Sequence, residues 1–260
     1  MLAGAAARNV AVLDLPRIFT IRESTHRVLN PFTPEKLATL GAAIGLRPGA
    51  ALLDLACGKG ELLCTWARDH GTTGTGVDIS TVFLAAARDR AAELGVADRV
   101  TFVHGDAGSY VSEQPVDVAA CIGATWIGGG VAGTVALLER SVRPGGTILI
   151  GEPYWRAEPP SQEAVEACHA TSRDDFSSLA GLVEQVHGMG YHLVEMVLAD
   201  EDSWDRYAAA QWFNMRTWLD ANPDDELAGE VRAELVADPL RHVRYRRSLL
   251  GWGVFALRKR

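Results

Sequence analysis

Short, nearly continuous apolar runs alternate along this chain with segments whose apolar positions recur every three to four residues. The runs predict strands buried on both faces, and the intervening segments predict amphipathic helices. The strands fall at about Ala51–Leu55, Thr73–Val77, Val100–His104, Val116–Ile122 and Thr147–Gly151. Helices are expected from Gly60 to about Asp69, where Gly71 ends the run, from Ser80 to Leu94, and near Ala132–Ser141. Alternation of this kind predicts an α/β fold with a parallel sheet covered on both sides.

The two ends depart from the alternation. Near the start, a short helix and turn over Pro16–Phe32 lead to a second helix capped by Thr33, with Pro34 at its first position and Glu35 favourable to the dipole. In the second half, Glu152–Asp175 is punctuated by Pro153, Pro159 and Pro160 and begins as a loop. A helix near Ser178–Met189 and a strand over Tyr191–Leu198 follow, then a strongly helical Ser203–Asp220 and two shorter helices in Asp224–Ser248. A last strand near Trp252–Leu257 completes an edge hairpin interrupted by helices. With no internal repeat or linker, the expectation is a flexible extension over 1–15 and a single domain over 16–260. That domain carries N-terminal cap helices (16–46) and a helical lid (201–248).

At 260 residues, 48% hydrophobic and 22% charged, the chain has an ordinary globular composition. The formal net charge of −8 argues against a phosphate-backbone binder, so no nucleic-acid partner is expected. Basic residues do cluster at Arg241, Arg244, Arg246, Arg247 and Arg258–Arg260, read as a solvated helix face and a charged tail. Cys57, Cys64, Cys121 and Cys168 lack metal-finger spacing and read as free thiols. No metal site is expected. No run approaches the ~18 apolar residues of a membrane helix, so the chain reads as cytoplasmic, without a membrane partner.

The chemistry concentrates after the first strand, in Asp54-Leu55-Ala56-Cys57-Gly58-Lys59-Gly60. A glycine turn here lets backbone approach a ligand. It fails the dinucleotide fingerprint, because Leu63 stands where the third glycine belongs, and it lacks the Lys-Ser/Thr of a phosphate loop. A nicotinamide-dependent oxidoreductase is thereby disfavoured. Asp54 would repel a pyrophosphate but suits a cationic amine. Asp78, ending the second strand, can accept both hydroxyls of a ribose, and Asp106, after the third, can accept from the amine of adenine. All three stand at carboxyl ends of adjacent strands, where open α/β sheets bind ligands.

These segments, with Asp78-Ile79-Ser80, Gly105-Asp106-Ala107 and Arg143-Pro144-Gly145-Gly146, resemble the class I S-adenosylmethionine-dependent methyltransferases over roughly Asn30–Arg156. Ala56 stands where many members have glycine. Four further segments are similar to a narrower group of bacterial enzymes: Pro16–Thr20, Cys121–Ile127, Gly151–Arg156 and Trp204–Tyr207. The resemblance implies a Rossmann-like fold with a seven-stranded, mostly parallel sheet. It also implies S-adenosylmethionine as cofactor, held by Asp54, Ala56, Gly58, Gly60, Asp78, Ile79, Asp106, Ala107, Cys121 and Gly123.

The expected reaction is methyl transfer to an oxygen or nitrogen of a small molecule, the alternative being non-methylating use of the same cofactor. Thr125 and Trp126 after the fourth strand, and Trp155 and Arg156 after the fifth, are candidate acceptor contacts. So are Tyr207 and Gln211 on the late helix. Within that helix Trp204, Ala208, Gln211, Met215 and Trp218 share helical spacing and read first as core. His26, Glu152 and Tyr154 are the candidate proton-handling groups, should the acceptor need one. The chain is expected to act as a monomer or homodimer.

Overall fold

The computed structural model describes residues 15–260; the expected extension over 1–15 therefore lies, Leu15 apart, outside the described residues. Along the chain run α1 (Arg17–Arg22), α2 (Pro34–Ala43), β1 (Ala51–Leu55), α3 (Glu61–His70), β2 (Thr73–Asp78), α4 (Thr81–Glu93) and β3 (Val100–His104). Then come β4 (Val116–Ile122), α5 (Val131–Glu139), β5 (Val142–Trp155), α6 (Gln162–Ala167), α7 (Leu179–Gly188) and β6 (Tyr191–Leu198). Helices α8 (Glu201–Ala221) and α9 (Ala228–Arg241) and strand β7 (Leu250–Lys259) complete it. Short 3₁₀ turns at Ala107–Ser109 and Thr125–Gly128 follow β3 and β4.

The strands form one seven-stranded sheet in the order β3-β2-β1-β4-β5-β7-β6. All pairings are parallel except those of β7, which runs antiparallel between β5 and β6. This is the Rossmann-like sheet of the class I methyltransferases. Strand order reverses between β1 and β4, so the crevice at their carboxyl ends lies where doubly wound sheets bind ligands.

Period-two alternation divides the apolar residues between two layers. Leu52, Ala120, Leu149, Trp252 and Val254 pack on the side of α2, α3 and α4. Leu53, Cys121, Ile148, Ile150, Tyr154 and Phe255 pack on the side of α5 and α7. Trp66, almost fully buried, ties α3 to α2 by donating its indole N–H to the Leu37 carbonyl at 3.2 Å. A third, smaller core of Ile21, Met215, Leu219, Ala228 and Val231 joins α1 to α8 and α9. The N-terminal helix and the helical insertion between β6 and β7 thus pack together.

Caps start the helices where the sequence places them. The Thr33 hydroxyl accepts from the Lys36 N–H at 3.3 Å, and that of Ser80 from the Phe83 N–H at 3.2 Å. The insertion differs from the expected pair of short helices. Helix α9 carries Pro239 internally and runs on through a π segment, His242–Arg246, into a last turn, Arg247–Leu249. Proline lacks an N–H and crowds the carbonyl one turn earlier, and the wider π turn absorbs that mismatch without ending the helix.

Candidate functional site

Three cavities meet along the carboxyl edge of the sheet. The first, about 60 Å³, lies between the glycine turn and the segment Arg27–Asn30, with Asp54 on its wall. The second, about 180 Å³, is lined by Gly58, Asp78, Ile79, Asp106, Ala107 and Gly123, with Phe19, Phe83 and Trp126 among its other walls. The third, about 460 Å³, lies under α1 and α8 and is bounded by Glu23, Pro153, Tyr207, Gln211 and Trp252. Asn30 borders all three, and Gly123 borders the second and third.

The glycine turn needs its glycines. Gly58 and Gly60 have φ of 53° and 68°, and a Cβ on Gly60 would come within 2.6 Å of the Phe102 ring. Ala56, at φ 59°, occupies the same left-handed region with a side chain. Asp78 closes the turn: one oxygen accepts from the Gly58 N–H and the other from the Ser80 N–H, both at 2.8 Å. It therefore ties β2 to the turn, and each oxygen retains lone-pair capacity for a ligand. Burial raises its pKa while those N–H groups lower it. One oxygen of Asp106 accepts from the Gly108 N–H at 2.9 Å.

Asp54 is only 3% exposed, and among the described residues none donates a hydrogen bond or a cation to it. Burial, and then the neighbouring charge of Asp78, push its pKa up to about 8. A buried carboxyl without a partner, on the wall of a cavity, fits a ligand ammonium. Together with a turn that brings backbone close and two further aspartates along the trough, these residues fit S-adenosylmethionine.

Lys59, the residue between the two glycines, clamps the N-terminal segment. Its ammonium donates to the carbonyls of Glu23, Ser24 and His26 at 2.7, 3.1 and 2.8 Å. Glu23 is fully buried, and its carboxylate accepts from the Tyr207 hydroxyl at 2.7 Å and the Gln211 amide at 2.6 Å. Its other oxygen meets Nδ1 of His26 at 2.8 Å. Asn214 donates to the Arg22 carbonyl at 2.8 Å. The polar stripe of α8 thus holds one side of the segment and the glycine turn the other.

Among the acceptor candidates, Tyr207 and Gln211 border the third cavity, joined there by Trp204 and Ala208 from the stripe read as core. Trp126, 70% exposed, borders the second cavity. His26 borders none of the three; its ring stacks on Tyr207 at 4.5 Å, and its Nε2 is buried without a partner among the described residues. Strand alternation moves others away. Glu152 and Tyr154 point to the α5/α7 side, whereas Pro153 and Trp252 face the third cavity. Glu152 instead accepts from the Thr125 hydroxyl at 2.6 Å, fixing the loop after β4, and burial raises it to about 7. Tyr154 covers Gly251. Cys121 is core on the same side, its thiol pushed up by burial.

Trp155 donates to the Arg173 carbonyl at 2.8 Å, and Arg156 to that of Ala199 at 3.1 Å, so both brace loops. Reasoning from sequence missed Glu23, Asn30, Arg22 and Arg246 as wall residues. The one local sign was Glu23, the sole acid between Arg17 and Asn30. Among the described residues no cluster of three His, Cys, Asp or Glu is placed to hold a metal, and no helix is long and apolar enough to cross a membrane.

Residues 52–146 match the sequence profile described as a methyltransferase domain. A methyltransferase from Geobacter sulfurreducens, solved with S-adenosylhomocysteine, is 64% identical; the match covers 95% of this chain and 100% of that one, with a TM-score of 0.94. The corresponding Thiobacillus denitrificans structure, with the same ligand, is 60% identical over 95% of this chain and 100% of that one, at a TM-score of 0.93. The uncharacterized protein YjhP of Escherichia coli is 59% identical over 94% of this chain and 99% of its own length. The chain belongs to the class I S-adenosylmethionine-dependent methyltransferases, and S-adenosylmethionine is its cofactor.

Proposed function

We propose that the chain transfers the methyl group to an oxygen or nitrogen of a small molecule held in the 460 Å³ cavity. The observation carrying this reading is that the cavity adjoins the cofactor trough at Asn30 and Gly123 and is roofed by α1 and α8. Its volume is that of a small-molecule site, and such a roof leaves no bed for a folded protein or a duplex.

In this reading Asp54 holds the cofactor's ammonium, Asp78 the ribose and Asp106 the adenine amine. When bound, the cofactor supplies a sulfonium methyl already activated for displacement. The remaining work of the protein is alignment and exclusion of water. The cap segment and α8 provide the roof, with α8 acting as the lid. Glu23, fully buried behind the cavity wall with both oxygens engaged, orders the roof rather than meeting the acceptor. His26, Tyr207 and Gln211 hold its carboxylate in place, so His26 acts through Glu23.

The test is incubation of purified protein and S-adenosylmethionine with a small-molecule panel, with intact protein and with duplex DNA. Release of S-adenosylhomocysteine is followed by mass spectrometry. Release that depends on a small acceptor is expected. Turnover on protein or DNA alone, or cofactor consumption yielding a different sulfur product, would contradict the reading.

A further inference from the structure

One stretch of the cavity wall holds more arginine than carboxylate among the described residues. Arg246 is 3% exposed and borders the cavity beside His169 and Cys168. Its guanidinium donates to Nε2 of His169 at 2.7 Å and to the Asp238 carbonyl at 3.0 Å, and pairs with the Asp238 carboxylate at 2.8 Å. Its Nε is buried without a partner among the described residues.

Asp238 does not belong to Arg246 alone. Arg22, Arg241 and Arg246 share two carboxylates, Glu234 and Asp238, which leaves one cation in excess. The neighbours do not supply the missing anion. An arginine only donates, so the His169 Nε2 accepts and the ring is neutral with its proton on Nδ1. Burial and Arg246 hold His169 near a pKa of about 4, and burial pushes the Cys168 thiol up to about 11. Glu23, the remaining acid on the wall, is offset by the Lys59 ammonium, which donates to its carbonyl, while Tyr207, Gln211 and His26 engage its carboxylate.

His169 itself sits at φ 61°, a conformation costly for a side-chain-bearing residue. The π segment after Pro239 carries Arg246 to the wall opposite that ring. Much of the remaining wall is apolar, with Ile18, Phe19, Phe176, Trp204, Leu250 and Trp252 among its residues.

We propose that the methyl acceptor is a small apolar acid whose carboxylate binds at the Arg246–His169 wall. This rests on the small-molecule reading above and narrows it to a charge class. Three arginines on two carboxylates leave a net positive charge at this wall, and an incoming carboxylate turns it into affinity and orientation. The apolar body fills the aromatic walls, and the reacting group is presented at Asn30 and Gly123.

The probes are 3-phenylpropanoate and octanoate against their primary amides, titrated by calorimetry into protein saturated with S-adenosylhomocysteine. Each acid is expected to bind about tenfold tighter than its amide. Arg246→Met should erase that preference while leaving S-adenosylhomocysteine affinity unchanged. Arg246→Lys, which keeps the charge, should retain a reduced preference, and it decides with the wild-type comparison should the methionine variant not fold. Acids that bind no tighter than amides, acids that fail to bind at millimolar concentration, or a preference surviving in Arg246→Met would overturn the proposal. Turnover of a neutral small molecule alone would remove the acid class and leave small-molecule methylation standing.

Discussion

Replacing Asp54 by asparagine should make the unliganded protein more stable and its cofactor binding worse. A raised carboxyl pKa means that folding takes up a proton which the unfolded chain has already released. The unfolded carboxyl ionises near pH 4, the folded one at about 8. The burial cost is therefore absent below pH ~4, grows between ~4 and ~8, and is constant above. At about 1.4 kcal/mol per unit, it reaches roughly 4 kcal/mol at pH 7 as an upper bound. Asparagine never ionises, so the variant escapes this cost; with local relaxation the gain is about 2–4 kcal/mol, a Tm rise of about 5–10 °C. The difference should shrink toward pH 4.

Ligand binding runs the other way. A ligand ammonium selects the ionised carboxylate, so wild-type affinity for S-adenosylhomocysteine should improve up to about tenfold per pH unit between pH 6 and 8. The asparagine variant should bind roughly 100-fold more weakly at pH 8, with a flatter profile. Calorimetry across that range and thermal melts at pH 5 and 7.5 measure both arms. An asparagine variant no more stable than wild type at pH 7.5, with a parallel binding profile, would show that the carboxyl is neither penalised by burial nor paired with the ligand.

Two further substitutions probe the junction and the clamp. Gly123→Ala places a Cβ at φ 85° against the Asn30 amide, whose Cγ would lie 2.9 Å away. It should cost about 1–3 kcal/mol and weaken S-adenosylhomocysteine binding in calorimetry, with partial recovery in the double variant with Asn30→Ala. Lys59→Met removes the donor to three carbonyls and should speed amide exchange over residues 17–30 by about ten- to a hundredfold. The centre of the sheet should exchange as in wild type, and uniform acceleration would mean the clamp is merely part of global stability.

The trough along the carboxyl edge of the sheet was legible because the residues that line it follow local signals. Asp54, Asp78 and Asp106 each follow an apolar run that predicts a strand, and strand order alone brings them together. The third cavity was not, because its contacts span the chain: Gln211 meets Glu23 across 188 residues and Arg246 meets His169 across 77. Faces were the second difficulty. Choosing Glu152 and Tyr154 over Pro153 depends on a single step of the pleat, and chemistry-bearing residues drew attention to the face of β5 away from the third cavity. Arg246 was read as solvated because a regular helix places the basic run outward, whereas the π segment redirects it.

The helical insertion leaves and re-enters the sheet at neighbouring points: Leu198 pairs with Gly253, and the Ala199 N–H donates to the Trp252 carbonyl at 2.9 Å. The intervening fifty or so residues therefore start and finish side by side, and the entropy of closing such a loop grows only slowly with its length. An insertion of another size could be grafted between the same two strands without disturbing Asp54, Asp78 or the glycine turn. In evolution as in engineering, this scaffold can exchange its clientele while keeping its methyl donor.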